Sequence, residues 1–154
     1  WRNFVFVFVL IAFFGSFLVM PKIIKPNEMT DASHVFGETY NPEKLSAVLS
    51  HDDPVFVEMT AAWCITCKIN HRVAINVDST KELFAKENVR FLIGDWTNED
   101  PKITKFLESY GRNGVPLYVF YGARDPATGE RPEAVVLPQV LTPSIVKSYI
   151  LGSQ

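Results

Sequence analysis

Both cysteines of the 154-residue chain stand in "TAAWCITCKINH", Thr60 to His71, three positions apart and with a histidine four residues further on. Cys64 and Cys67 at that spacing could be a dithiol that exchanges electrons, part of a metal site, or two small buried apolar residues. On a helix the two sulfurs share one face and can close a small disulfide. A thiol at a helix start meets unpaired backbone N–H groups and the positive end of the helix dipole, both of which favour the thiolate. Cys64 is therefore expected to be the exposed, reactive sulfur, and Cys67 the more buried one that resolves a mixed disulfide. Trp63, Lys68 and His71 border the pair as candidate tuning residues.

Two other features bear on that chemistry. Glu58 interrupts the apolar stretch "PVFVEMT", where alternation sets Val55, Val57 and Met59 on one face and Phe56, Glu58 and Thr60 on the other. An acid in a strand core is costly unless it has a task. A carboxyl near Cys67 could take and return its proton; the alternative is a partly solvated acid at a strand end. "GVP", Gly114 to Pro116, precedes another apolar run. A cis proline there would open a loop packing on the cysteines, whereas a trans proline would simply start an edge strand.

Metal binding competes with the redox reading. Cys64, Cys67 and His71 share one helical face, and thiolates with imidazole suit zinc or copper. A structural zinc takes four ligands, however, and neither His34 nor His51 has a reason to converge. A helix start also favours an anion over a cation. A non-catalytic module with the cysteines as core residues is a further alternative.

The elements that must position these residues follow from capping and periodicity. Asn41, Asp100 and Thr142 are each followed by Pro, an N-cap and first-turn pattern that predicts helices from all three points; a further helix starts at Ser79. Apolar β-branched and aromatic runs predict strands over 54–60, 89–96, 115–121 and 134–140, the last shortened by Pro138. This order predicts an α/β domain over 41–154, with a central mixed sheet flanked by helices, a parallel crossover early and an antiparallel hairpin late. A net charge of −2 without a basic block gives no electrostatic case for nucleic acid. Two cysteines are too few for a disulfide scaffold, so the core must hold the fold.

The N-terminus is of another kind. From Asn3 to Pro21 there is no charge, and the run is almost wholly apolar. As a helix it would span roughly 28 Å, close to the ~30 Å hydrocarbon core of a bilayer. Residues 1–21 are thus expected to be a transmembrane helix and 22–40 a linker. Trp1 in place of Met suggests a piece of a longer protein. Arg2 before the run, with Lys22 and Lys25 after it, runs weakly against an outward-facing C-terminal domain.

Taken together, "VFVEMTAAWCITCKIN", "DWTNEDPKITKFLESYGRNGVPLYVFY" and "VVLPQVLTP" resemble the C-terminal thioredoxin-like domain of DsbD-type thiol:disulfide interchange proteins, over roughly residues 35–154. The resemblance implies a thioredoxin-like fold preceded by the last transmembrane helix of a polytopic domain. It implies Cys64 and Cys67 as the redox pair, Glu58 as the buried acid, and Pro116 as a cis-proline that, with Val115, docks the partner chain. No cofactor beyond the redox disulfide is implied. The implied partners are a membrane-embedded dithiol, in the same or a companion protein, and periplasmic disulfide-bearing proteins; the implied location is the bacterial inner membrane, facing the periplasm. Two departures stand out: Ile65-Thr66 replaces the Gly-Pro of thioredoxin, and His71 stands where the family often has glutamate.

Overall fold

The computed structural model describes residues 36–152. The expected transmembrane helix over 1–21 lies outside them; among the described residues no helix is long and apolar enough to cross a membrane. Five strands form one sheet: β1 (Glu38–Thr39), β2 (Val55–Thr60), β3 (Arg90–Asp95), β4 (Leu117–Tyr121) and β5 (Val135–Val136). Their order across the sheet is β1-β3-β2-β4-β5, with β1 and β2 parallel to β3 and the β2–β4 and β4–β5 pairs antiparallel. The mixed sheet and its late hairpin agree with the sequence expectation. Strand β1 differs, because Glu38 and Thr39 fall at the end of the stretch read as linker. They extend the sheet beside Leu92 and Ile93, and Glu38 forms ion pairs with Arg90 and Lys44. No periodicity can signal a strand so short.

The helices α1 (Pro42–Leu49), α2 (Ile65–Asn70), α3 (Asp78–Lys86), α4 (Pro101–Ser109) and α5 (Pro143–Gly152) cover both faces. Their starts follow the capping chemistry. Asn41 Oδ1 accepts from Lys44 N at 2.6 Å, Asp100 Oδ1 from Lys102 N at 2.7 Å, and Thr142 Oγ1 from Ile145 N at 3.2 Å. One face of the sheet packs Val55, Val57 and Met59 against Leu45 and Val48 of α1 and Ile103, Phe106 and Leu107 of α4. The other packs Phe56, Tyr118 and Phe120 against Phe84 of α3 and Val146 and Ile150 of α5. A side chain at Gly94 would displace Met59, since an added Cβ would lie 2.3 Å from its Sδ.

Strand β5 is much shorter than the expected 134–140. Leu137 N still donates to Tyr118 O at 3.0 Å, but Pro138 has no N–H to extend the ladder. Beyond it the chain bonds to a side chain in place of a strand. Asn70, buried at the end of α2, donates from Nδ2 to Gln139 O at 2.7 Å and accepts from Leu141 N at 3.2 Å.

Candidate active site

β2 ends at Thr60, and two residues of turn bring the chain to Trp63 and Cys64 at the head of α2. Cys64 is the N-cap, and the backbone N–H of Cys67 donates to its Sγ at 3.2 Å. The two cysteines are joined as a disulfide, with their Cα atoms 5.3 Å apart. Cys67 is wholly buried and Cys64 is 7% exposed. Cys64 is therefore the more accessible sulfur, yet far less open than expected. The cause is a small apolar cluster in which Ala61 and Val115 pack around the pair. Val115 comes from the loop before β4, and the Val115–Pro116 peptide is cis. The structure thus brings the "GVP" loop onto the disulfide, as the cis alternative required.

Outside the pair lie apolar side chains open to solvent: Trp63 is 55% exposed and Ile65 73%. The Trp63 ring is held from below. Its Nε1 donates to Thr97 O at 3.3 Å, and its ring centroid lies 6.0 Å from that of Trp96. Thr97 also accepts from Ala62 N at 2.7 Å and is itself bonded through its hydroxyl to Asp95. Sequence reasoning missed this brace of Asp95, Trp96 and Thr97, since only the β2–β3 register sets the loop after β3 beside the turn before α2. Lys68 is exposed on α2.

Beneath α2 the arrangement is polar. Glu58 is 1% exposed, so the reading of a solvated acid at a strand end does not hold. Its Oε2 lies 3.1 Å from His71 Nδ1, and among the described residues its Oε1 has no hydrogen-bond partner. The two residues were singled out separately in the sequence; only the fold pairs them. That hydrogen bond raises the His71 pKa above the usual 6.5 against the opposing effects of burial and the Lys81 charge, with the Glu58 charge adding to the rise. Next to it, Tyr118 OH accepts from Asn70 Nδ2 at 3.1 Å, and burial, with the Glu58 charge adding, pushes the phenol well above its ordinary range.

In the disulfide form, the three residues of the metal alternative are otherwise engaged. Among the described residues no group of three or more His, Cys, Asp or Glu could hold a metal ion. Cys64 and Cys67 bond to each other and His71 turns Nδ1 to Glu58. His71 also begins a π-helical turn, His71–Ile75, while its own backbone N–H still donates to Cys67 O.

A two-cysteine disulfide capping a helix, over a mixed sheet and beside a cis-proline loop, defines a thiol:disulfide oxidoreductase. The chain belongs to the thioredoxin-like family, which matches residues 38–123. No curated protein matches it. Among solved structures it is similar to the DsbD C-terminal domain of Neisseria meningitidis. The reduced form is 24% identical with a TM-score of 0.54, covering 76% of this chain and 100% of that one. The oxidised form is 23% identical with a TM-score of 0.55, covering 77% and 100%. A thioredoxin from Thermus thermophilus is 19% identical with a TM-score of 0.56, covering 75% and 85%. At these identities the likeness speaks for the fold, and the chemistry rests on the residues above.

Proposed function

We propose that this domain is the electron-delivering end of a DsbD-type system, accepting electrons from a membrane-embedded dithiol and reducing disulfides of periplasmic proteins. The observation that carries the reading is the Cys64–Cys67 disulfide at the α2 start, covered by Val115 and preceded by the strand that holds buried Glu58. In the forward half-reaction the membrane dithiol opens the Cys64–Cys67 bond and is itself oxidised. The Cys64 thiolate then attacks a partner disulfide, forming a mixed disulfide and releasing one partner sulfur as thiolate. Cys67 gives its proton to Glu58 and attacks Cys64, so the Cys64–Cys67 bond re-forms and the second partner sulfur leaves. The exposed Trp63 and the half-buried Val115 would offer the partner chain a surface beside the sulfur. Residues 1–21, outside the described part, would anchor the domain to the inner membrane on its periplasmic side.

The test is covalent capture. A Cys67→Ser chain keeps the attacking sulfur and loses the resolver, so it is expected to hold periplasmic partners through Cys64. Absence of both captured partner and exchange activity would overturn the reading. The reduction potential then fixes direction: a value near about −270 mV suits a donor, and one near about −120 mV an oxidant.

A further inference from the structure

Among the described residues the outer face of α2 is left uncovered. Ile65 is 73% exposed, and Ile69 and Val73 follow at steps of four, 48% and 43% exposed. Side chains four apart on a helix are neighbours, so the three form one apolar stripe that continues from α2 into the π-helical turn. Lys68 and Arg72 run beside it at the same step, both exposed. Among the described residues neither cation enters an ion pair. From Met59 to Val77 the chain has no acidic residue, although its net charge is −2. Asn70 adds to the apolar edge, because its bonds to Gln139 O and Leu141 N hold exposed Val140 beside the end of α2. The stripe starts one residue after Cys64, so whatever covers it also stands at the sulfur.

We propose that this face docks a disulfide-bearing protein partner whose cysteine is bordered by an apolar side chain and by carboxylates. The inference rests on the exchange reading above and adds to it the chemistry of the partner's surface. The partner's apolar side chain covers Ile65 and Ile69, and its carboxylates meet Lys68 and Arg72. Two cations with no local counter-charge attract an acidic surface and steer its approach, chiefly through the rate of encounter. Covering the stripe removes apolar surface from water and holds the partner while the sulfurs exchange. An anionic bilayer offers the same two kinds of contact. It fits less well, because lipid lying on Ile65 would close the approach to Cys64, which a partner disulfide must reach. In the reaction the reduced Cys64–Cys67 pair is oxidised to its disulfide and the partner disulfide is reduced to two thiols. Docking changes the rate of that exchange and not its balance.

The experiment follows oxidation of the reduced full chain, in neutral detergent, by stopped-flow tryptophan fluorescence. The probes are uncharged 2-hydroxyethyl disulfide and three cyclic peptides closed by one disulfide. Beside a cysteine one peptide carries Leu with a Glu pair, the second Leu with a Lys pair, and the third Ser with a Glu pair. At low salt the Leu-Glu peptide is expected to react about tenfold faster than the Leu-Lys peptide, a gap that should shrink to about twofold at ~1 M salt. Arg72→Glu should bring the two low-salt rates together. The Leu-Glu peptide should also outpace the Ser-Glu peptide about fivefold, a margin that Ile69→Ser should abolish. Equal parent rates for the Leu-Glu and Leu-Lys peptides at low salt would overturn the proposal, as would a preference that Arg72→Glu leaves intact. In phosphatidylcholine vesicles, added phosphatidylglycerol should leave the parent's rate with the uncharged disulfide unchanged. A slowing of the parent that Arg72→Glu escapes would give the face to lipid and overturn the proposal. A parent that does not react even with the uncharged disulfide overturns the exchange reading itself; one that reacts with it but ignores peptide charge overturns this inference alone.

Discussion

The two faces of β2 are built from alternate residues of one strand and serve different ends. Val55, Val57 and Met59 are wholly buried in a cluster of apolar side chains, where nothing but volume and shape is at stake. On the opposite face Phe56 joins an aromatic group with Phe84 and Phe91, but two positions on, Glu58 enters a polar patch with His71. Asn70 and Tyr118 are bonded to each other alongside. A face built only for stability would have an apolar residue at 58. On the proposed reading, the acid on this face is the group that takes the Cys67 proton.

Substitutions on the two faces should separate stability from activity. The largest stability loss is expected at Met59→Ala, about 2–5 kcal/mol by chemical denaturation, because a filled core site is emptied. Exchange by the molecules still folded should persist, since no reacting group is touched. The double change Glu58→Leu with His71→Leu should do the reverse. Replacing a buried polar pair by apolar side chains is expected to be near neutral or to gain about 1 kcal/mol, while disulfide exchange slows by at least about tenfold. A double variant that loses several kcal/mol yet exchanges at the parent rate would erase the contrast.

A smaller effect is expected in the pH dependence of stability. The folded pKa of His71 is raised by Glu58, so its stabilising contribution is fully present below the unfolded value of about 6.5. The contribution is lost as pH rises through the higher folded value. Thermal midpoints of the parent should therefore drop through that window, relative to His71→Asn, and a constant difference between the two would contradict the pairing. The smallest effect belongs to the brace on the other side of the disulfide. Thr97→Val removes the acceptor for Ala62 N but keeps the carbonyl that holds Trp63, and should cost about 0.5–1.5 kcal/mol in a denaturant titration.

Much of this was legible in the chain because it is written locally. Asn41-Pro42, Asp100-Pro101 and Thr142-Pro143 start three helices through contacts a few residues long. The alternation of "VFVEMT" assigns Val57 and Glu58 to opposite faces without knowledge of what covers them. The Cys64–Cys67 spacing likewise allows a disulfide by helical geometry alone. What could not be read was set by side chains meeting across long stretches of sequence. Strand β1 exists because β3 offers an edge, and the end of β5 is decided by Asn70, about seventy residues earlier, bonding Gln139 and Leu141.

By itself, then, the sequence determined the class of elements, the sulfur pair at a helix start and the acid in a strand, since each depends on periodicity, capping and spacing over a few residues. The tertiary structure decided how open Cys64 is, which loop covers it and which residue Glu58 faces. Those follow from parallel and antiparallel registers that bring Val115, Thr97 and His71 around one strand end. His71 shows the difference most plainly. In sequence it is one helical turn beyond the cysteines and could be a metal ligand; in the fold its imidazole is, among the described residues, the hydrogen-bonding neighbour of a buried acid.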